Sequence, residues 1–188
     1  MNQSLGSVSI FHPLADKPWQ AERKTLVFTG VGAADFLQRP LTAFFASRQC
    51  PGTCIRAATD WALRQARERS AVVSGFHSPL EQSVLRLLLE ARSPAVLVLA
   101  RPVTQATLRS AWRVAVSAGS LAVVSQASKS QRLTQGAAEL RNDLAAHLAD
   151  QIVVAHAQSG GRLAAQCQGW AGAGLDLRCM DGTEWLVG

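Results

Sequence analysis

Residues 71–81 read AVVSGFHSPLE, where an apolar strand gives way to a turn of small residues and then to the start of a helix. Ser78 is suited to cap that helix, Pro79 suits its first position, and Glu81 stands where a capping box requires an acidic residue. Backbone N–H groups at such a helix end favour an anion such as phosphate near Gly75. The same pattern is also typical of an ordinary capped helix, so the binding interpretation depends on similar turns elsewhere in the chain.

Strands and helices alternate along most of the chain. Glycine- or proline-bounded apolar runs predict strands at 26–30, 41–47, 71–74, 95–100, 121–125, 151–155 and 175–179. Apolar residues at helical spacing predict helices at 53–69, 80–91, 104–118, 132–147 and 162–171. This alternation predicts an α/β fold, with a parallel sheet flanked by helices on both faces in three layers. Residues 1–25 lack a clear period and are expected to form an N-terminal arm or lead-in, and 26–188 a single domain.

Length and charge limit the class of protein. The 188 residues suffice for one domain with its own core, and no apolar run reaches the roughly 18 residues that cross a bilayer. The N-terminus lacks the pattern of a secretory signal, so we expect a cytoplasmic protein with no membrane contact. The formal net charge is +6, and Arg greatly outnumbers Lys. Arginine grips phosphate bidentately, although a GC-rich genome also produces an arginine-rich composition.

The four cysteines do not form a CxxC…CxxC array, so no zinc or other metal site is expected. They are Cys50, Cys54, Cys167 and Cys179. Cys50 precedes a predicted helix N-terminus, which is expected to lower the pKa of its thiol and makes it a candidate reactive thiol. We favour the other interpretation, a small residue in a tight turn.

Three strand ends carry polar or glycine-rich turns, and ligands of parallel sheets bind outside the carboxyl ends of the strands. These turns are Ser47-Arg48, the segment 74–78, and the segment 156–162 with its diglycine Gly160-Gly161, whose backbone can approach a phosphate closely. None of them reads GxGxxG or GxxxxGK[ST], so neither a standard dinucleotide site nor a P-loop is predicted. No cofactor is expected.

Catalysis has little support in the sequence. His77 could donate to a phosphate or act as a weak general base, but no Ser, Cys or Asp partner at motif spacing marks a triad. No catalytic residue is therefore assigned. The helical segment 141–143, Arg-Asn-Asp, fits a solvated helix face when it is read from the pattern alone.

Four short motifs resemble, in order, those of the DprA/Smf family of DNA-processing proteins. Residues 36–48 are similar to the family's entry strand ending in Gly-Ser-Arg, with Ala46 in place of the glycine. Residues 72–75 are similar to its strand ending in Val-Ser-Gly. Residues 140–150 resemble its Arg-Asn-Arg-Ile-Ile-Ala-Gly-Leu-Ser-Asp stretch, and residues 159–163 its Ser-Gly-Ser-Leu turn.

The resemblance implies a Rossmann-like fold and DNA binding. Basic residues of the third motif contribute to DNA binding in the family, which adds Arg141 and Asn142 to the candidates, whereas Asp143 replaces the motif's second arginine. DprA proteins bind single-stranded DNA, dimerise and load RecA, so the implied partners are single-stranded DNA or a nucleotide, a second copy of the chain, and a RecA-type protein. The candidate phosphate ligands are Ser47, Arg48, Ser74, Gly75, Phe76, His77, Ser78, Arg141, Asn142, Ser159, Gly160, Gly161 and Arg162.

Two alternatives to a non-catalytic DNA-binding protein remain open. One is a sensor or enzyme acting on a small nucleotide, with His77 or Glu81 as its acid or base. The same superfamily includes LOG-type phosphoribohydrolases with a Pro-Gly-Gly-x-Gly-Thr-x-x-Glu signature, but Cys167 stands at the position of its glutamate, so that chemistry is not expected. The other is a scaffold that dimerises through an exposed sheet edge, such as the last strand before residues 185–187.

Overall fold

The computed structural model describes residues 17–126 and 135–182, which form one sheet with helices on both faces. In these ranges the strands are β1 (Trp19–Arg23), β2 (Leu26–Gly32), β3 (Leu41–Ala46), β4 (Ala71–Ser74), β5 (Ala95–Val98), β6 (Leu121–Ser125), β7 (Gln151–His156) and β8 (Leu177–Cys179). The α-helices are α1 (Gly52–Glu68), α2 (Pro79–Glu90), α3 (Ser110–Ser117), α4 (Gln135–Leu148) and α5 (Arg162–Gly172). Short 3-10 turns span Ala34–Gln38 and Val103–Gln105.

The sheet has the strand order β1-β2-β6-β5-β4-β3-β7-β8, and the six strands from β6 to β8 are parallel. The predicted α/β fold with a helix-flanked parallel sheet is therefore confirmed, with β2 added antiparallel to β6. From β3 the chain builds outward through β4 and β5 to β6, and it then returns to the other side of β3 with β7 and β8. This reversal beside β3 opens a crevice at the carboxyl ends of the strands, where open α/β sheets bind their ligands.

Each face of the sheet has its own aromatic contact in the core. Phe44 of β3 stacks on Trp61 of α1 with ring centroids 5.0 Å apart, and helices α1 to α3 cover that face. The next residue, Phe45, points to the opposite face and packs on Trp170 of α5 at 4.8 Å. Because both faces are covered, consecutive strand residues are buried, which explains why the central strands read as continuous apolar runs.

Residues 17–25 were expected to belong to an irregular lead-in, but Trp19–Arg23 form strand β1 of the sheet. Trp19 is half-buried, donates from its indole N–H to the Gly32 carbonyl at 3.0 Å, and meets Phe28 edge to face. Residues Lys24 and Thr25 form a two-residue hairpin turn with positive φ angles of 49° and 67°. Such turns usually carry Asn-Gly, so this hairpin has no turn signal in its sequence. The rest of the arm, residues 1–16, lies outside the described residues.

Other boundaries differ slightly from the predictions. The helix expected at 104–118 begins only at Ser110, because a 3-10 turn and an extended segment precede it. The helix expected from 132 is described from Gln135 onward, and residues 132–134 and 185–187 lie outside the described residues. No described helix is long and apolar enough to cross a membrane.

Asp150 links the β1–β2 hairpin and the start of β3 to the end of α4. Its carboxylate accepts from the Leu41 backbone N–H at 2.9 Å and pairs with Arg23 at 2.6 Å and Lys24 at 3.1 Å. Partial burial raises the pKa of Asp150, but these hydrogen bonds and the two cations outweigh it and lower the pKa below its ordinary value of 3.8. The ionised carboxylate therefore stabilises the folded chain.

We expect Asp150→Asn to lower the free energy of unfolding by about 1 kcal/mol at neutral pH, because solvent screens a side chain that is 43% exposed. A depressed folded pKa stabilises above the unfolded pKa, so the difference between the two proteins should persist at neutral pH and vanish as the pH falls below 3.8. Urea unfolding at several pH values measures it. A difference that is independent of pH would contradict this role.

Candidate functional site

The turn after β4 lies at the carboxyl edge of the sheet, beside the reversal of strand order. Ser74 is fully buried, and its hydroxyl accepts from the Phe76 backbone N–H at 3.1 Å. Phe76 has a φ of +48°, and its ring is buried in the core. Of these two predicted ligand residues, Phe76 can therefore offer a ligand only its backbone.

The carboxylate of Glu81 occupies the centre of this turn. One oxygen accepts from the backbone N–H groups of His77 at 2.7 Å and Ser78 at 3.1 Å, and the other accepts from the Ala46 N–H at the end of β3, at 3.0 Å. The Ser78 hydroxyl accepts from the Glu81 N–H at 3.2 Å, which confirms the predicted capping box. Burial raises the pKa of Glu81, and the three N–H donors act in the opposite direction.

This arrangement corrects one expectation from the sequence. The backbone N–H groups of this helix end were expected to face an external anion above Gly75. Those of His77 and Ser78 instead donate to Glu81, and that of Glu81 donates to the Ser78 hydroxyl. Because Pro79 has no N–H, it offers none in their place. The helix end thus holds an internal carboxylate where a phosphate was expected.

Arg141 reaches this turn from α4. The residue is only 8% exposed, and a methyl group added at Gly75 would lie 2.2 Å from its Nε, so a residue without a side chain is required where the guanidinium crosses the turn. Its Nη2 donates to the Asn142 side-chain oxygen at 3.0 Å, while its buried Nε finds no acceptor among the described residues. Burial lowers the pKa of Arg141, and Glu81 raises it. The interpretation of this segment as a solvated face is therefore wrong for Arg141.

The two residues after Arg141 join α4 to α5. Asn142 donates from its amide nitrogen to Gln166 at 3.0 Å. One oxygen of Asp143 accepts from the Gln166 amide at 2.8 Å and from the Trp170 indole N–H at 2.9 Å. The carboxylate that replaces an arginine of the resembling motif is thus a packing residue between two helices.

Four arginines act on His77, and two of them were not among the predicted residues. Burial, followed by the charges of Arg141, Arg109, Arg101 and Arg48, lowers the pKa of His77 to about 4. Arg101 follows β5, and Arg109 precedes α3, its guanidinium 5.0 Å from the centre of the Trp112 ring. Both arginines follow β5, which pairs with β4, and neighbouring parallel strands end at the same edge of the sheet. This position after β5 is the signal by which the sequence could have indicated them.

Ser47 links the ends of β3 and β7. Its N–H donates to the His156 carbonyl at 2.9 Å, and its hydroxyl accepts from the Gln158 N–H at 2.9 Å. This brings Ser47 to the start of the segment 156–162.

The predicted diglycine turn lies at the surface, where Ser159 and Gly160 are exposed. Gly160 has a φ of +69°, Gly161 caps α5, and Arg162 lies 3.9 Å from the Glu139 carboxylate. The structure thus forms two groups of predicted residues, one around the turn after β4 and one around Ser47 and the diglycine turn.

Cys50 does not have the environment that its position suggested. Its thiol donates to the Ser47 carbonyl at 3.2 Å. Burial first, and then the charges of Cys54, Glu81 and Asp181, raise the pKa of Cys50. The expected lowering by the helix N-terminus is therefore wrong, and the alternative of a small residue in a tight turn fits better.

Comparison with known proteins gives a consistent result. The family model of DNA recombination-mediator protein A matches residues 16–168. No curated protein sequence matches the chain. The DNA processing protein A of Helicobacter pylori, for which a single-stranded DNA binding mode is described, superposes with a TM-score of 0.71 at 13% identity, over 89% of this chain and 82% of that one.

A second similar structure is DNA processing protein A (DprA) of Streptococcus pneumoniae, with a TM-score of 0.68 and 18% identity. The match covers 84% of this chain and 56% of that protein, so the chain spans little more than half the length of that relative. At these identities the two structures establish the fold.

We expect Glu81→Gln to lower the free energy of unfolding by about 2 to 3 kcal/mol, because an amide group cannot accept all three backbone N–H bonds in a buried place. Urea unfolding monitored by tryptophan fluorescence measures the loss. The matched control is Glu90→Gln on the same helix. Its exposed carboxylate forms a 3.8 Å ion pair with Arg86, and the substitution should change the free energy of unfolding little. Equal effects of the two substitutions would contradict the central place of Glu81.

His77 should make the stability of the chain depend on pH. Because its folded pKa of about 4 lies below the ordinary 6.5, the unfolded chain binds more protons between these values. Stability should therefore fall as the pH drops from 6.5 toward 4, and less steeply in His77→Gln. Thermal unfolding across this range measures the difference between the two proteins. Parallel curves would show that burial and the arginine charges do not lower the pKa of His77 in the folded chain.

Proposed function

The chain belongs to the family of DNA recombination-mediator protein A, and from this premise we propose that it binds the phosphates of single-stranded DNA, without catalysis, at the carboxyl edge of its sheet. We call the four arginines Arg48, Arg101, Arg109 and Arg141, together with the neutral His77 on which their charges act, the basic edge. The proposed ligand set adds to the basic edge Ser47, Gly75 and the diglycine turn Ser159, Gly160, Gly161 and Arg162. Ser74, Phe76 and Ser78 shape the turn after β4, and Asn142 holds the Arg141 guanidinium.

The observation that carries this proposal is the gathering of arginines around one turn. Arg141 lies over Gly75 of that turn, and after burial the charges of four arginines lower the pKa of His77. Strands β3, β4 and β5 are neighbours, and these cations follow their carboxyl ends or come from the adjoining α4. A concentration of arginine at one edge attracts a polyanion and binds it through the backbone phosphates, with little base preference.

The guanidinium of Arg141 supports a bound anion beside this turn. Its Nε is buried against Gly75 too closely to admit a ligand atom, so a phosphate has to meet the terminal nitrogens. The charge and the planar N–H donors of a guanidinium match a phosphate oxygen. We propose that Arg141 binds the phosphate nearest to the turn after β4, and that exposed Arg48 binds the next one along the strand.

The same contacts argue against an enzyme built on this turn. Glu81 is the candidate acid or base of the small-nucleotide alternative, but its oxygens accept from three backbone N–H groups. His77 has a pKa of about 4, which leaves it a weak base at neutral pH. A homodimer, a RecA-type partner and a cytoplasmic location stay predictions drawn from the sequence and the family resemblance.

The test is fluorescence anisotropy of a labelled dT oligonucleotide over a salt series, with AMP and other mononucleotides as competitors. We expect log affinity to fall with log salt by about 0.7 for each phosphate contact. Arg48→Ala and Arg141→Ala should each weaken binding roughly tenfold and reduce the salt slope by about one contact. Urea unfolding of each variant separates lost binding from lost folding.

The matched control is Arg67→Ala. Arg67 is exposed in the last turn of α1, and the C-terminal end of a crossover helix lies at the opposite edge of a parallel sheet. Its removal should leave the affinity nearly unchanged. Equal losses in all three variants would point to general electrostatic attraction, and unchanged affinity in both Arg48→Ala and Arg141→Ala would refute the basic edge as the site. Binding of mononucleotides without oligonucleotide binding would favour the small-nucleotide alternative.

A further inference from the structure

Three side chains of different chemistry meet beside the end of β7. A thiol sulfur of Cys54, a ring nitrogen of His156 and a carboxylate oxygen of Asp181 all lie within 4.8 Å of one another. They come from three separate elements, since Cys54 stands in the first turn of α1, His156 ends β7, and Asp181 follows β8. The basic edge uses none of the three.

These three donors are the ligand types that zinc takes in proteins. Zinc binds cysteine sulfur at about 2.3 Å and histidine nitrogen or carboxylate oxygen at about 2.0 to 2.2 Å, so tetrahedral ligands stand roughly 3.5 Å apart. Separations within 4.8 Å need only small side-chain rotations to reach that spacing. A thiolate together with a carboxylate also neutralises the charge of a divalent ion, which avoids burying a net charge.

The surroundings suit a bound ion. Cys54 is 4% exposed, so its sulfur is shielded from competing water. His156 already contacts the Asp181 carboxylate through Nδ1 at 2.8 Å, and its backbone is fixed by the bond from the Ser47 N–H to its carbonyl. Two of the three ligands are thus held together before any ion binds, which lowers the ordering cost of binding.

We propose that Cys54, His156 and Asp181 form a site for a single Zn²⁺ ion, with water completing the tetrahedron. Such an ion would join α1, β7 and the segment after β8, and so fasten the three-residue edge strand to the rest of the sheet. The expectation of no metal site came from cysteine spacing, which cannot detect ligands contributed singly by three distant elements. This proposal is independent of DNA binding.

The test uses the full chain, stripped with a chelator and titrated with Zn²⁺ alone against a chromophoric zinc indicator. We expect one ion per chain, a rise in thermal stability on binding, and a thiolate-to-metal charge-transfer band when Co²⁺ replaces Zn²⁺. Cys54→Ser, His156→Ala and Asp181→Asn should each weaken zinc affinity roughly tenfold or more. Cys54→Ser should also abolish the charge-transfer band.

The matched control is Cys179→Ser, which removes a half-buried thiol that packs with the core on the other face of the sheet. It should bind zinc as the unchanged chain does. Circular dichroism checks the fold of each variant, and surface Asp181→Asn keeps the test valid where the buried Cys54→Ser does not fold. Uptake below one ion per chain, or equal affinity in Cys179→Ser and the three ligand variants, would overturn the proposal.

Discussion

The buried carboxylate of Glu81 is the interaction on which this edge of the molecule depends. It joins the end of β3, the turn after β4 and the first turn of α2 through three backbone N–H bonds. A buried carboxylate is tolerated only where donors surround it, so the turn must hold its shape around Glu81. The positive φ of buried Phe76 is one consequence, because the backbone has to bend its N–H groups toward the carboxylate.

An internal anion at a helix end changes where an external one can bind. Glu81 takes up the donors that a phosphate would otherwise use, and it leaves the surface charge of this edge to arginine side chains. It also stabilises the buried cation of Arg141 across the turn, which would be costly to desolvate alone. In the proposed DNA-binding site, the helix end acts on a phosphate indirectly, because it holds Arg141 and does not contact the phosphate itself.

The sequence predicted what local patterns determine. Continuous apolar runs gave the central strands, and the Ser-Pro-x-Glu order gave the capping box, because both follow from residues close in the chain. The hairpin of β1 was missed because Lys24-Thr25 is not a turn sequence. The pKa of Cys50 was predicted with the wrong sign, because burial, followed by the charges of Cys54, Glu81 and Asp181, raises it. Arg101 and Arg109 needed the strand order before their approach to His77 could be seen.

Asp143 shows that a motif comparison by residue type does not establish what a residue does in the structure. Read as the loss of an arginine, it argues against a phosphate-binding patch. Its carboxylate instead binds the Trp170 indole and Gln166, so it fixes α5 against the turn of α4 that presents Arg141 and Asn142. An arginine there would leave these donors unpaired beside the core. Arg101 and Arg109 also contribute positive charge at this edge. Residues that follow a neighbouring strand thus supply the charge that the motif lacks at Asp143, where the side chain serves packing.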